Sequence, residues 1–208
     1  MRRDRRVAAL PARNLVLRST FFFAGVLLLA VAPPLASLGA QPAQASADPR
    51  AAWLAQARDA LAPFAWLVGE WEGTATIHTA NGGTMSLQQR ESVTSAAFAT
   101  ALIIQGRGMM NVNGSPRQLW DAAGLFAYDT PTKTFSFSSA SGSGLAQTFA
   151  VSTQGSGFTW SYVEAAGARM RFVITRTADD KWKEIGERSE DGGATWTTTI
   201  NLLLARKD

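Results

Sequence analysis

From Gly69 to the end of the chain, apolar and polar side chains alternate in short runs, each closed by a turn rich in Gly, Asn, Asp or Pro. Alternation with a period of two is the pattern of half-buried β-strands. It predicts ten strands, over residues 69–79, 84–95, 98–108, 119–129, 133–140, 145–153, 157–164, 169–177, 181–189 and 195–206. The turns include Asn81-Gly82-Gly83, Asn113-Gly114-Ser115-Pro116, Asp129-Thr130-Pro131-Thr132, Gln154-Gly155-Ser156-Gly157, Asp179-Asp180 and Asp191-Gly192-Gly193. These residue types suit tight hairpins. Such short connections pair neighbours in sequence, so the expected fold is all-β: an antiparallel up-and-down barrel of about ten strands. A two-sheet sandwich is the competing arrangement, but its crossovers need longer connections than most of these. One short helix precedes the strands. Asp48-Pro49 supplies an N-cap acceptor and a first helical residue with preset φ; Trp53, Ala57, Ala60, Leu61 and Phe64 recur at helical spacing, and Pro63 ends the run. The expected division is a helix over 46–63, flanking or plugging one barrel end, and a barrel domain over 64–208.

Alternation also assigns faces. Trp71, Gly73, Ala75 and Ile77 point inward on the first strand, and Phe135, Phe137, Phe149, Val151, Phe158, Trp160, Phe172, Ile174, Ile200, Leu202 and Leu204 continue the inward face. The fourth strand is apolar on both sides, through Leu119 and Leu125 on one face and Trp120, Phe126 and Tyr128 on the other. The helix or a partner chain, a second copy included, is the expected cover, and Gly124 marks an expected bulge. Polar residues also fall on the inward phase. Gln89 and Glu91 share a face with Met85, Leu87 and Val93; Arg176 shares one with Met170, Phe172 and Ile174; Glu184 and Arg188 share one with Trp182 and Gly186. Pairing Ile77 with Met85 across the Asn-Gly-Gly turn sets Glu91 opposite Trp71 and Gln89 opposite Gly73. A three-residue turn at 178–180 sets Glu184 opposite Ile174 and diagonal to Arg176.

The first 45 residues read as an export signal. Six arginines precede a run of 12 apolar residues, Phe21 to Ala32, ended by Pro33-Pro34. That run is shorter than the roughly 20 residues of a membrane-spanning helix. Ala43-Gln44-Ala45 offers a small-x-small cleavage site, with Ala45-Ser46-Ala47 as a close alternative. A twin-arginine signal at Arg5-Arg6 and a retained anchor are the competing readings. The whole chain is +4, with 20 basic and 16 acidic residues, but residues 46–208 carry 14 basic and 15 acidic. The basic excess therefore belongs to the leader, and gives no reason to expect a nucleic-acid partner. The expected location is periplasmic or secreted, with no stable membrane anchor after cleavage.

Enzyme signatures are sparse. There is no cysteine, which removes thiol nucleophiles, thiolate metal sites and disulfides, and His78, the single histidine, lies on an outward phase. No Ser-His-Asp set or standard zinc site can be assembled, so neither a metal nor a cofactor is expected. Gly106-Arg107-Gly108 and Gly142-Ser143-Gly144 lack the remaining glycines of a phosphate loop and read as turns or strand ends. Ser189 to Trp196 fits S-x-D-x-G-x-T-W and resembles the Asp-box turn of sialidases. Its content is local: Asp191 accepts turn N–H groups, Gly193 permits positive φ, and Trp196 packs beneath. A single copy in a chain of this length is a hairpin staple.

Gly69-x-Trp71 after a short helix, a ten-strand meander and Arg206 on the last strand resemble the calycin group, the lipocalin and fatty-acid-binding-protein barrels. In that group a basic residue near the last strand covers the first-strand tryptophan, so the resemblance implies an Arg206–Trp71 pair. Leu67-x-Gly69-x-Trp71-x-Gly73, Glu91, Tyr128-Asp129 and the Ser189–Trp196 turn resemble an exported bacterial family of lipocalin-like barrels of unknown function. Haem-binding barrels of the nitrobindin type use a histidine on a late strand; this chain has none there.

Together these readings point to a barrel that binds a small hydrophobic or amphipathic molecule. Trp71, Phe98, Phe137, Phe149, Trp160, Phe172 and Trp182 are the expected wall, and Gln89, Glu91, Glu184 and Arg188 the polar end. Buried charge must be paired or must line a solvated cavity, so an ion-paired rim is the competing account of the inward charges. Two alternative functions remain open: an isomerase or cyclase using Glu91 or Glu184 as base, and an envelope interaction module or dimer built on the fourth strand.

Overall fold

The computed structural model describes residues 48–207; the expected export signal and its cleavage site lie outside them. Asp48 caps the first element, its carboxylate accepting the Arg50 N–H at 2.9 Å, and Pro49 opens helix α1, Pro49–Leu61. Pro63 does not end the helical path. The chain tightens into a 3-10 segment, Ala62–Leu67, which buries Phe64, Trp66 and Leu67. That segment, rather than α1, contributes most of the plug. Only Ala57 and Leu61 of α1 are buried, and Trp53 is 53% exposed.

Ten strands follow: β1 Gly69–His78, β2 Thr84–Ala96, β3 Ala101–Val112, β4 Ser115–Asp129, β5 Thr134–Ser141, β6 Ala146–Gln154, β7 Gly157–Val163, β8 Arg169–Arg176, β9 Trp182–Ser189 and β10 Thr197–Arg206. Each pairs antiparallel with the next, and β1 closes on β10 through Trp71↔Arg206 to Ile77↔Ile200. The fold is a closed, ten-stranded, antiparallel up-and-down barrel with one short α-helix; the sandwich is excluded. Registers follow the alternation: Glu91 opposes Trp71, Gln89 opposes Gly73, and Glu184 opposes Ile174.

The third strand departs from expectation. Ala97, Phe98 and Ala99 have φ of 50°, 59° and 65°, a left-handed turn made without glycine, and β3 starts only at Ala101. Arg58 of α1 donates through Nε to the Phe98 carbonyl at 2.6 Å, tying this turn to the helix. β3 then runs on to a two-residue hairpin at Asn113-Gly114, both at positive φ, and Ser115-Pro116 belong to β4. Gly106 and Gly108 are thus interior strand residues, not turns or strand ends. Gly124 is not a bulge either: it pairs regularly with Ile104 and Ser139, while the bulge falls at Leu119, between Gly108↔Trp120 and Met109↔Gln118. α1 contacts β4, yet Leu119 and Leu125 on its outer face stay exposed.

One barrel end is shut. Phe64 meets Phe126 and Phe158 edge-on, and Trp66 and Trp71 each pack edge-on against Trp182. Arg206 locks this plug. Its guanidinium donates at 2.7 Å to the Val68 and Trp66 carbonyls and lies 4.3 Å from the Trp71 ring centroid. Trp71 donates its indole N–H to the Leu67 carbonyl at 2.7 Å. At the opposite end, the Ser189–Trp196 turn forms as a staple: Asp191 accepts from Ser189, Thr195 N and Thr195 Oγ1, and Trp196 lies 4.0 Å from the Arg171 guanidinium. These donors hold the Asp191 carboxyl well below the usual carboxylate range.

Candidate functional site

Alternation sends large side chains inward, but three inward positions of β3 and β4 are glycine, and the barrel is hollow beside them. A Cβ at Gly106 would sit 2.6 and 2.7 Å from the two Glu91 carboxylate oxygens; one at Gly108 would sit 2.8 Å from Gln89 Oε1; one at Gly124 would strike the Phe137 ring. The missing side chains leave the space into which Glu91, Gln89 and Phe137 project. The cavity has a volume of about 290 Å³ and opens at the end opposite the plug, where Trp120, Ser141, Ser143, Leu145 and Gln147 form the mouth. Phe137, Phe149, Trp160 and Tyr162 make one wall, and Trp182, Glu91 and Glu184 lie on the other side.

Glu91 is 8% exposed, and Gln89 Nε2 donates to its Oε1 at 2.7 Å. Burial pushes its carboxyl up to about 7, with the Gln89 hydrogen bond acting the other way. Glu184, inward on β9, is half-buried, but the surface it exposes is the cavity's. Burial first, and then the charge of Glu91, push its carboxyl up to about 8. The Trp182 indole N–H acts in the opposite direction, yet it makes no hydrogen bond of normal geometry. Tyr162, the third titratable group on this cavity, is also raised, by burial and then by Glu164.

No basic side chain lines this cavity among the described residues. Arg176, the expected diagonal partner of Glu184, pairs outside with Asp180. Arg188 was expected at the polar end, but it stands at the end of β9, where its chain reaches outward to Glu164 at 2.8 Å and to Glu190. The ion-paired account of the inward carboxylates therefore fails, and Arg188 leaves the site. Phe98 leaves it too: it is 81% exposed, because the left-handed turn before β3 lifts it off the barrel.

The other expected residues divide into two groups. Phe137, Phe149, Trp160, Trp182, Glu91 and Glu184 line the cavity. Trp71 belongs to the plug; Phe172 lies behind Trp160, stacked at 4.0 Å and 5°; Gln89 supports Glu91. Sequence reasoning missed Trp120, Tyr162, Ser139, Ser141 and Gln147. Tyr162, Ser139, Ser141 and Gln147 are in phase with inward aromatics already assigned on their strands, so extending the alternation finds them; Trp120 lies on the doubly apolar fourth strand, where alternation chose neither face. His78 is exposed and contacts only Asn201, at 3.0 Å, among hydrogen-bonding side chains.

No protein-family model matches the chain, and no curated protein sequence matches it. Among solved structures it is similar to the crystal structure of Rv2717c from M. tuberculosis, with a TM-score of 0.50 and 13% identity over 73% of this chain and 98% of that one. At that identity the likeness concerns the fold alone.

Proposed function

We propose that this chain is an exported barrel that binds a small amphipathic molecule in its cavity. The observation that carries the reading is a hollow, one-ended cavity with an aromatic wall and two interior carboxylates that have no basic partner among the described residues. Aromatic surface with a few convergent polar groups is the usual make-up of a small-molecule site, and a volume of about 290 Å³ lies just below the usual range of roughly 300–1,000 Å³, which points to a small ligand. The Arg206 stack on Trp71 supports the likeness to lipocalin-type barrels. Native mass spectrometry of the protein purified from an exporting host, followed by solvent extraction, tests the reading. A reproducible adduct absent from a folded Trp160→Ala variant is expected; a clean apo mass in every preparation overturns it.

A second reading is favoured by the carboxylates themselves. Glu91 and Glu184 titrate near neutrality, where a carboxyl can both take and give a proton, which suits an isomerase or cyclase. Under that reading Glu91→Gln abolishes turnover of a cavity-bound substrate, whereas under the binding reading it changes only affinity and stability.

A further inference from the structure

We infer that the ligand is an organic ammonium ion on a flat apolar body, its charge held between Glu91 and Glu184 and its body against Trp160 and Phe149. The inference rests on the binding reading and adds the ligand's charge. Two carboxylates face one cavity from β2 and β9, and among the described residues no lysine or arginine faces it with them. The elements packed against Glu91 present Trp71 from β1 and Gly106 from β3; those against Glu184 present Ile174 from β8 and Leu202 from β10. None of these is titratable, so Tyr162 is the only other ionisable group on the cavity among the described residues.

Of the cations on the surrounding strands, Arg206 is engaged on the plug carbonyls, Arg176 on Asp180, Arg188 on Glu164 and Glu190, and Arg90 on Glu72, while Lys183 and Arg107 are exposed on the outward phase of β9 and β3. An ionised carboxylate enclosed without a counter-charge is unfavourable. A ligand ammonium supplies that charge and donates hydrogen bonds to acceptor oxygens that Gln89 only partly satisfies. The wall adds to this preference, because the faces of tryptophan, tyrosine and phenylalanine attract cations in desolvated sites. An anionic ligand meets the opposite field.

The test is calorimetric titration of the protein with naphthylmethylamine and with its neutral isostere naphthylmethanol. The amine is expected to bind at least about tenfold tighter than the alcohol at about pH 8, and to lose that advantage by about pH 5, where both carboxylates are protonated. The Glu91→Gln/Glu184→Gln double variant is expected to lose the preference, binding the amine no tighter than the alcohol. Equal affinity of the two probes for the unmodified protein at about pH 8 overturns the ammonium inference and leaves the cavity reading standing. Binding of neither probe overturns both.

Discussion

Replacing Glu91 by glutamine removes a charge and keeps the shape. Glu91 is enclosed by Gly106 and Gln89, and its carboxyl is raised from 4.5 to about 7. At 1.36 kcal/mol per unit this corresponds to about 3 kcal/mol of preference for the neutral form in the folded protein. Because the folded value lies above the unfolded one, the folded state binds the extra proton. The native protein therefore loses stability as pH rises from about 4.5 through about 7, and above that the loss is complete. Glutamine at this position suffers no such loss and keeps an oxygen for the Gln89 amide, which donates at 2.7 Å. Glu91→Gln should therefore match the native protein near pH 5 and exceed it near pH 8 by up to about 3 kcal/mol, or roughly 6–12 °C in Tm for a domain of this size. Thermal and urea unfolding followed by circular dichroism at both pH values measures this. A variant equally or less stable at the higher pH would refute the reasoning, since it would mean that Glu91 has a cationic or well-solvated partner.

Other parts of the account can be perturbed as directly. Gly106→Ala brings a methyl group to 2.6 Å from the Glu91 carboxylate; it should cost about 1–3 kcal/mol, and the cost should shrink in a Glu91→Ala background, as a double-mutant cycle would measure. Arg206→Ala leaves the Trp66 and Val68 carbonyls without their donors and Trp71 without its cation; a loss of about 2–3 kcal/mol in urea unfolding is expected. Asp191→Ala removes the acceptor of the β9–β10 turn and should lower Tm at neutral pH. Since the Asp191 carboxyl is lowered by folding, that contribution should be complete above about pH 4 and shrink progressively as pH falls below it, vanishing only beneath the lowered folded value.

The fold was legible because the alternation is uninterrupted on nearly every strand and the turns carry recognisable residues. Register follows from the same information: fixing the Asn-Gly-Gly turn brings Glu91 to Trp71 without further assumption. The failures cluster where local chemistry gave no sign. Ala97-Phe98-Ala99 holds no turn residue, yet all three take positive φ, so Phe98 looked like an inward aromatic of a strand that had not begun. Gly106 and Gly108 read as punctuation because a glycine's absent side chain acquires meaning only when a neighbouring strand fills the gap. Arg188 was misplaced for another reason. Its phase is inward, but at a strand end a long side chain is free to turn outward, and Glu164, 24 residues away in sequence, is where it goes.

The most direct measurement of the central claim is the titration of the Glu91 and Glu184 carboxyl carbons by NMR in selectively labelled protein, each assigned by its glutamine variant. Two carboxyls titrating near 7 and 8, well above the ordinary carboxylate range, is the predicted result. If both titrate in the ordinary carboxylate range, the interior acids are solvated or paired, and the cavity does not present the unpaired charge on which the proposed ligand depends.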